Sequence, residues 1–229
     1  MEEARVVTPQ IRRLGEMVEI LYDRNFAVSA NPSQPIYYVY RDLPFSRPII
    51  TQSMPGLRYD VTVIPPFMLG EECAKTYGHY HSIALGSVTY AEIYEVLQGT
   101  MHALLQKNEQ DRVVDVCLIE GHPGEKIVIP PNYGHVLINP GEETLATGNL
   151  ISKKCTAEYE SWRVKRGAAY YELKGSRLLK NPSYGETPEV RRKAPQSQFP
   201  AGLRLTDLLQ KTPSDFDFLT DPLSYSEKP

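Results

Sequence analysis

The chain is poor in the residues that would place it in a specialised class. Only three cysteines occur in 229 residues, Cys73, Cys117 and Cys155. An odd number at those spacings matches neither a disulfide framework nor a zinc cluster, so reduced thiols and a cytoplasmic protein are expected. No apolar run is long enough to span a bilayer. The opening residues, Met-Glu-Glu-Ala-Arg, lack the basic-then-apolar order of a secretory signal. Positive charge is not in excess: 25 Lys and Arg stand against 28 Asp and Glu, with a pI of about 6.0, which argues against a nucleic-acid partner. Histidines number five. Proline (19), glycine (15) and tyrosine (15) are instead plentiful, a composition of many turns and short strands. A chain of this length buries a large core without staples.

Patterning divides the chain into three stretches of one expected domain, 1–229. In the first, 1–35, Thr8 and Pro9 read as the start of a helix over 8–24, with Ile11, Leu14, Met17, Val18, Leu21 and Tyr22 on one face. Asn31-Pro32-Ser33-Gln34-Pro35 breaks it. The second, 36–175, is a run of candidate strands: Tyr37–Tyr40, then 57–64, 77–83, 91–97, 100–107, 112–119, 126–130, 134–139, 144–151, 157–165 and 168–174. Turn signals such as Pro65-Pro66, Gly99 and Pro140-Gly141 separate them, and no helix-length pattern interrupts 57–174. Short strands at even spacing predict an all-β sandwich or small barrel. The third, 176–229, holds seven prolines within 181–229 and a short apolar face at Leu203, Leu205, Leu208 and Leu209. It reads as an extended arm on the barrel or on a partner subunit, with disorder as the alternative.

Three short segments carry chemistry. In Thr76-Tyr77-Gly78-His79-Tyr80-His81, the histidines are two residues apart, so on a strand both imidazoles face the same side. A wet strand face would show the same pair. In Ala91-Glu92-Ile93-Tyr94-Glu95-Val96, Glu92, Tyr94 and Val96 share one face and Glu95 takes the other. A carboxylate pointing into a barrel is costly unless paired or metal-bound, although a solvated strand edge would also accommodate it. In Pro130-Pro131-Asn132-Tyr133-Gly134-His135, a lone histidine opens an apolar strand, a position usually held by a satisfied core residue. Together, His79, His81, Glu92 and His135 make a three-nitrogen, one-oxygen set suited to Fe²⁺, Mn²⁺, Zn²⁺ or Ni²⁺. His102 and His122 stand apart and read as structural.

These segments resemble the two cupin motifs: His79-x-His81, ten residues, Glu92, six residues, Gly99; and Gly124, five residues, Pro130 to His135, three residues, Asn139. Further detail, Lys75-Thr76-x-Gly78 before His79 and Ala91 to Gly99 after it, is similar to the cupin-type glucose-6-phosphate isomerases over roughly residues 5–150. The resemblance implies a double-stranded β-helix (jelly-roll) barrel with an N-terminal helix and an extended C-terminal arm. It also implies a homodimer interconverting glucose 6-phosphate and fructose 6-phosphate with one divalent ion per subunit, Fe²⁺ first. His79, His81, Glu92 and His135 would be the ligands. Thr62, Thr76 and Gly78 would hold the substrate phosphate, and Tyr94 would line the sugar pocket, with Glu92 and Tyr94 as the catalytic pair. The chain departs from the pattern in the ten-residue gap, in Asn132 at the usual glycine, and in having no tyrosine near Leu150 or Ile151, where some members place a phosphate contact.

The same ligand set would serve a non-haem iron dioxygenase, which would consume oxygen, or a non-catalytic sugar or metal sensor. Lys75-Thr76-x-Gly78 favours the isomerase by offering an anion site beside the ligands. No added signalling or DNA-binding segment favours the sensor.

Overall fold

The computed structural model describes residues 7–110 and 112–226; the signal-peptide question at Met1–Arg5 lies outside them. Its strands are β1 (Gln10–Arg13), β2 (Pro35–Tyr40), β3 (Leu57–Ile64), β4 (Met68–Leu69), β5 (Glu72–Lys75), β6 (Tyr80–His81), β7 (Ile83–Leu85), β8 (Val88–Thr89) and β9 (Glu92–Gln98). They continue as β10 (Met101–Glu109), β11 (Arg112–Gly121), β12 (Lys126–Ile129), β13 (Tyr133–Asn139), β14 (Leu145–Ser152), β15 (Ala157–Glu158), β16 (Tyr170–Leu173), β17 (Arg177–Lys180) and β18 (Arg191–Lys193). Four short α-helices interrupt them: α1 (Arg24–Ser29), α2 (Arg47–Ser53), α3 (Glu160–Val164) and α4 (Leu205–Lys211).

Two sheets form the jelly roll. One runs β1-β2-β3-β14-β9-β12; the other runs β17-β16-β5-β13-β10-β11-β18, with β4 beside β5. Alternation along β3 sorts its side chains. Arg58, Asp60, Thr62 and Ile64 lie on one face, and Leu57, Tyr59 and Val61 on the other. Ile64 belongs to the large apolar cluster with Tyr94, Val96, Met101 and Ile127. Leu57 and Tyr59 belong to a second cluster on the sheet's outer face. That outer face is covered by the C-terminal segment through Phe199, Leu205, Leu208, Leu209, Phe216 and Leu219. β9 is therefore buried on both faces almost throughout.

The arm thus lies on its own barrel, and polar ties hold it. Glu95, on the outer face, accepts from Tyr59 Oη (2.8 Å), Arg204 Nε (3.0 Å) and the Leu205 amide (3.0 Å). Tyr59 reaches Glu95 by passing over Gly148, where an added Cβ would sit 1.8 Å from the phenol oxygen. Lys126, fully buried, donates to the carbonyls of Gly124 and Pro200 (2.6 and 2.9 Å) and of Leu203. The strand register continues with β18, which pairs in parallel with β11.

Three expectations fail. No helix forms over 8–24. Residues 7–9 belong to no element, β1 pairs antiparallel with β2, and 3₁₀ turns follow at Leu14–Glu16 and Val18–Ile20. Leu14, Met17 and Ile20 are fully buried. Their steps of three suit a 3₁₀ turn, which has three residues per turn, and Gly15 donates its amide to Pro32 O (2.9 Å) where the chain doubles back. The short helix α1 comes later, capped by Asp23, whose Oδ1 accepts from the Phe26 amide (2.9 Å). Nor is 157–165 a strand: after β15 it becomes α3, with Glu160 in its first turn, Arg163 in its last, and Trp162 buried. The candidate strand 77–83 is also interrupted: Tyr80–His81 and Ile83–Leu85 fall in strands and His79 in an isolated bridge, and the rest of the segment belongs to no strand. The cysteines are buried thiols, and among the described residues no helix is long and apolar enough to cross a membrane.

Candidate metal centre and pocket

Backbone pairing brings the motifs together. His79 and His135 form a bridge in which each amide donates to the other's carbonyl (3.1 and 3.0 Å). β9 lies in the facing sheet and contributes Glu92. The ligand atoms of His79, His81, Glu92 and His135 all fall within 4.8 Å of one another. The left-handed backbone at Gly78 (φ +80°) sets the turn into this segment, and Trp162 fills the space where a side chain would stand. A Cβ at Gly78 would lie 2.7 Å from the Trp162 ring. Gly78→Ala is therefore expected to cost about 3 kcal/mol, combining backbone strain with overpacking; a chemical-denaturation midpoint equal to the parent's would contradict this packing.

The donor set fits a divalent cation. His81 Nδ1 lies 2.9 Å from the Tyr90 carbonyl, which only accepts, so Nδ1 carries a proton and Nε2 is the nitrogen turned toward Glu92. That Nε2 and Glu92 Oε2 are 3.2 Å apart, and both are buried without a hydrogen-bond partner. Burial, reinforced by neighbouring imidazoles, holds His79 and His135 well below the ordinary histidine value, leaving neutral rings with lone pairs. Among the described residues, Glu92 Oε2 faces imidazoles and no Lys or Arg is paired with it; a buried carboxylate oxygen so placed is costly, and a bound cation would offset that cost. Tyr94 Oη lies 3.3 Å from His135 Nε2. Burial first, then the Glu92 charge, pushes this phenol well above its usual value, so it stays protonated.

A cavity of about 300 Å³ opens beside these groups. All eight residues singled out from the sequence line it: Thr62, Thr76, Gly78, His79, His81, Glu92, Tyr94 and His135. Lys75 does not. Its ammonium pairs with buried Glu72 and donates to Ile20 O (3.0 Å), while Glu72 Oε2 accepts from the Tyr22 amide (3.0 Å). Lys75 therefore ties down the N-terminal segment and offers no anion site to the pocket. Thr76 Oγ1 accepts from the Leu137 amide (3.1 Å), which leaves only its own hydroxyl proton to donate.

Sequence reading missed Asn149, Arg41, Arg58 and Asp60. Asn149 Nδ2 donates to Glu92 Oε1 (2.6 Å), so the carboxylate oxygen that does not face the histidines is already bonded. Asn149 sits opposite Tyr94 in the ladder. The signal was present in the alternation of β3 and β14, where Arg58, Asp60 and Asn149 fall on the Thr62 side; only the pairing of those strands with β9 gives it meaning.

His102 and His122 stay outside the cavity lining. His122 is exposed, 3.2 Å from Glu120. His102 is buried between Glu172 (Nδ1, 2.7 Å) and Glu120 (Nε2, 3.0 Å). Burial pulls its pKa down, but the two carboxylates outweigh that and hold it above the ordinary value. A histidine whose folded pKa is raised stabilises fully below its unfolded value of about 6.5 and loses that contribution as pH rises through the folded value. The stability gap between the parent and His102→Gln should accordingly narrow as pH rises from 6 to 9. Denaturation series at several pH values would show it, and a constant gap would exclude a charged His102.

A jelly roll with three imidazoles and one carboxylate converging between its sheets is a cupin with a group that could hold a metal ion. The family model described as glucose-6-phosphate isomerase (GPI) matches residues 15–189; the chain belongs to that family. It is 36% identical over 87 residues to the glucose-6-phosphate isomerase of Thermococcus litoralis, covering 38% of this chain and 42% of that protein. It is 30% identical over 136 residues to that of Pyrococcus abyssi, covering 58% and 64%. The chain thus spans less than two thirds of either relative's length. Among solved structures it is similar to an 11S globulin from Wrightia tinctoria (14% identity, 53% of this chain and 26% of that one, TM-score 0.38). It is also similar to an oxalate decarboxylase from Bacillus subtilis (16%, 51% and 25%, TM-score 0.34).

Proposed function

We propose that the protein is a metal-dependent aldose–ketose isomerase interconverting D-glucose 6-phosphate and D-fructose 6-phosphate, a reaction of glycolysis and gluconeogenesis. The observation that carries this reading is the pair of buried, unpartnered atoms Glu92 Oε2 and His81 Nε2, close-set with the imidazoles of His79 and His135 on the wall of a sugar-sized cavity in a chain of the GPI family. His79, His81, Glu92 and His135 would hold one divalent ion, Fe²⁺ first and Mn²⁺, Zn²⁺ or Ni²⁺ as alternatives. When bound, such an ion supplies Lewis-acid polarisation of sugar oxygens at C1 and C2.

The protein's own groups would manage the proton and the geometry. Isomerisation moves hydrogen between C1 and C2; by an enediol route an acid–base group must reach both carbons, whereas a hydride shift needs proton transfer only between the oxygens. Glu92 Oε1, which accepts from Asn149 Nδ2, is one candidate. The protonated Tyr94 hydroxyl is the other, placed to donate to a substrate oxygen. Thr62, Thr76 and Gly78 would contact the phosphate end. The N-terminal segment 1–35, barrel 36–175 and C-terminal extension 176–229 would act as one domain, in a homodimer, as the family resemblance implies.

The test is a coupled assay. Fructose 6-phosphate is supplied anaerobically with Fe²⁺ or Mn²⁺, and glucose 6-phosphate is measured. Turnover is expected with added metal and should fall after chelation. No turnover with any divalent metal would overturn the reading.

A further inference from the structure

We propose that Arg41 and Arg58, both held on the carboxylate of Asp60, form a guanidinium clamp for the phosphate monoester dianion of the substrate. This rests on the isomerase reading and adds charged recognition to it.

Asp60 is 1% exposed and lines the cavity. Its Oδ2 accepts from Arg41 Nη1 (2.9 Å) and from Arg58 Nε (3.0 Å), and its Oδ1 accepts from the Asp42 amide (2.8 Å). One carboxylate needs one cation for neutrality, yet two arginines converge on a single oxygen. Counted over Asp60 alone, the pair carries one positive charge more than its carboxylate; the next carboxylate within electrostatic reach of Arg58 is Glu92, whose charge a bound divalent ion would take up. Both arginines line that cavity, with side chains 42% and 19% exposed, so they retain access to an incoming anion. Among the described residues, the remaining bonds of Arg41 and Arg58 are one each, from Arg41 Nε to Gln10 Oε1 (3.0 Å) and from Arg58 Nη1 to Ser152 O (3.4 Å). A guanidinium carries five N–H groups, so each keeps donors uncommitted.

The register explains why the clamp sits near the ligand group. Asp60 lies opposite Asn149 and Arg58 opposite Ile151 in the β3–β14 ladder, while Asn149 and Ile151 lie opposite Tyr94 and Glu92 in the β14–β9 ladder. Arg58 thus occupies the same inner surface as Glu92, two strands away, and Arg41, just past the end of β2, joins it through Asp60. Threonine hydroxyls can bond a phosphate but bring no charge. Planar guanidiniums give charge-assisted, two-pronged bonds to phosphate oxygens. Asp60 is the positioning residue: it fixes both guanidinium planes before the ligand arrives, which removes ordering cost from binding.

The test compares the parent protein with Arg41→Gln and Arg58→Gln, each checked for folding by thermal melting and for metal content. Two readouts are used. In the isomerase assay, KM for fructose 6-phosphate should rise at least tenfold while kcat changes less than threefold. In calorimetric titration with inorganic phosphate, which needs no turnover, affinity should fall by a similar factor and weaken with added salt. Arg41→Lys should recover part of the charge but less of the affinity. Phosphate affinity and KM equal to the parent's in Arg41→Gln would overturn the clamp, as would a loss confined to kcat or to metal content. If the parent protein itself shows no isomerase turnover, the isomerase reading fails, and the phosphate titration still decides the clamp. Should Arg58→Gln not fold, the more exposed Arg41 carries the test alone.

Discussion

His135→Ala is expected to lose at least a thousandfold in kcat/KM in the coupled assay, together with most of its bound divalent metal. A thousandfold corresponds to about 4 kcal/mol of transition-state stabilisation. The backbone of His135 is held independently of its ring, because its amide and carbonyl both pair with His79 and β13 continues through an apolar run paired with β10. Truncation therefore removes one ligand nitrogen without unravelling the strand that carries it. The ring is neutral in the protein, being held well below the ordinary histidine value by burial, so its removal leaves no unpaired charge. The thermal midpoint of the metal-free variant should stay near that of the metal-free parent, while metal content measured by mass spectrometry falls. Full activity from a variant whose metal content is nil would detach catalysis from these ligands.

Lys126→Met should produce a large loss of stability. The lysine is fully buried, and its ammonium satisfies the carbonyls of Gly124, Pro200 and Leu203. Methionine keeps most of the apolar stem and removes every donor. Three carbonyls lose their partner, at about 1–3 kcal/mol for each that stays buried. Partial escape of the arm to water limits the sum, so a net loss of about 3 kcal/mol is expected, which lowers Tm by roughly 6–12 °C for a chain of this size. Two of those carbonyls belong to the arm, so trypsin should cut sooner at Arg204 and Lys211. An unchanged Tm with an unchanged cleavage pattern would mean that the apolar contacts of Phe199, Leu205, Leu209 and Phe216 hold the arm without help. Those contacts are substantial, since each fully buried large side chain contributes roughly 1.5–3 kcal/mol.

Residues that act through short spacing were legible in the sequence. The step of two between His79 and His81 places both rings on one side of the chain whatever lies around them. Alternation in Glu92-Ile93-Tyr94-Glu95 put Glu92 and Tyr94 inward and Glu95 outward, and all three are so placed. β3 was delimited from its own pattern, Leu57–Ile64. The N-terminal stretch misled because Ile11, Leu14 and Met17 repeat every three residues, a spacing that an α-helix and successive 3₁₀ turns share on one face. The decision fell to β2, whose free edge pairs with β1. Similarly, Lys75 beside Thr76 reads as an anion site only until its partner Glu72 is known.

What the sequence by itself determined is the donor set and the class of fold: residue types at fixed local separations, and turns close enough to force short strands. Tertiary structure alone decided which distant side chains share the cavity. Arg41, Arg58, Asp60 and Asn149 belong to strands or turns with no motif of their own, and they meet Glu92 only through the β2-β3-β14-β9 order. Strand order is a property of long-range pairing, in which many registers bury apolar surface about equally well, so it is not written in any one segment. The same holds for the C-terminal arm. Its prolines indicate an extended path, but that the path lies on its own sheet follows from the apolar outer face of β3, β9 and β14 and from a buried lysine 74 residues before the carbonyl of Pro200 that it binds.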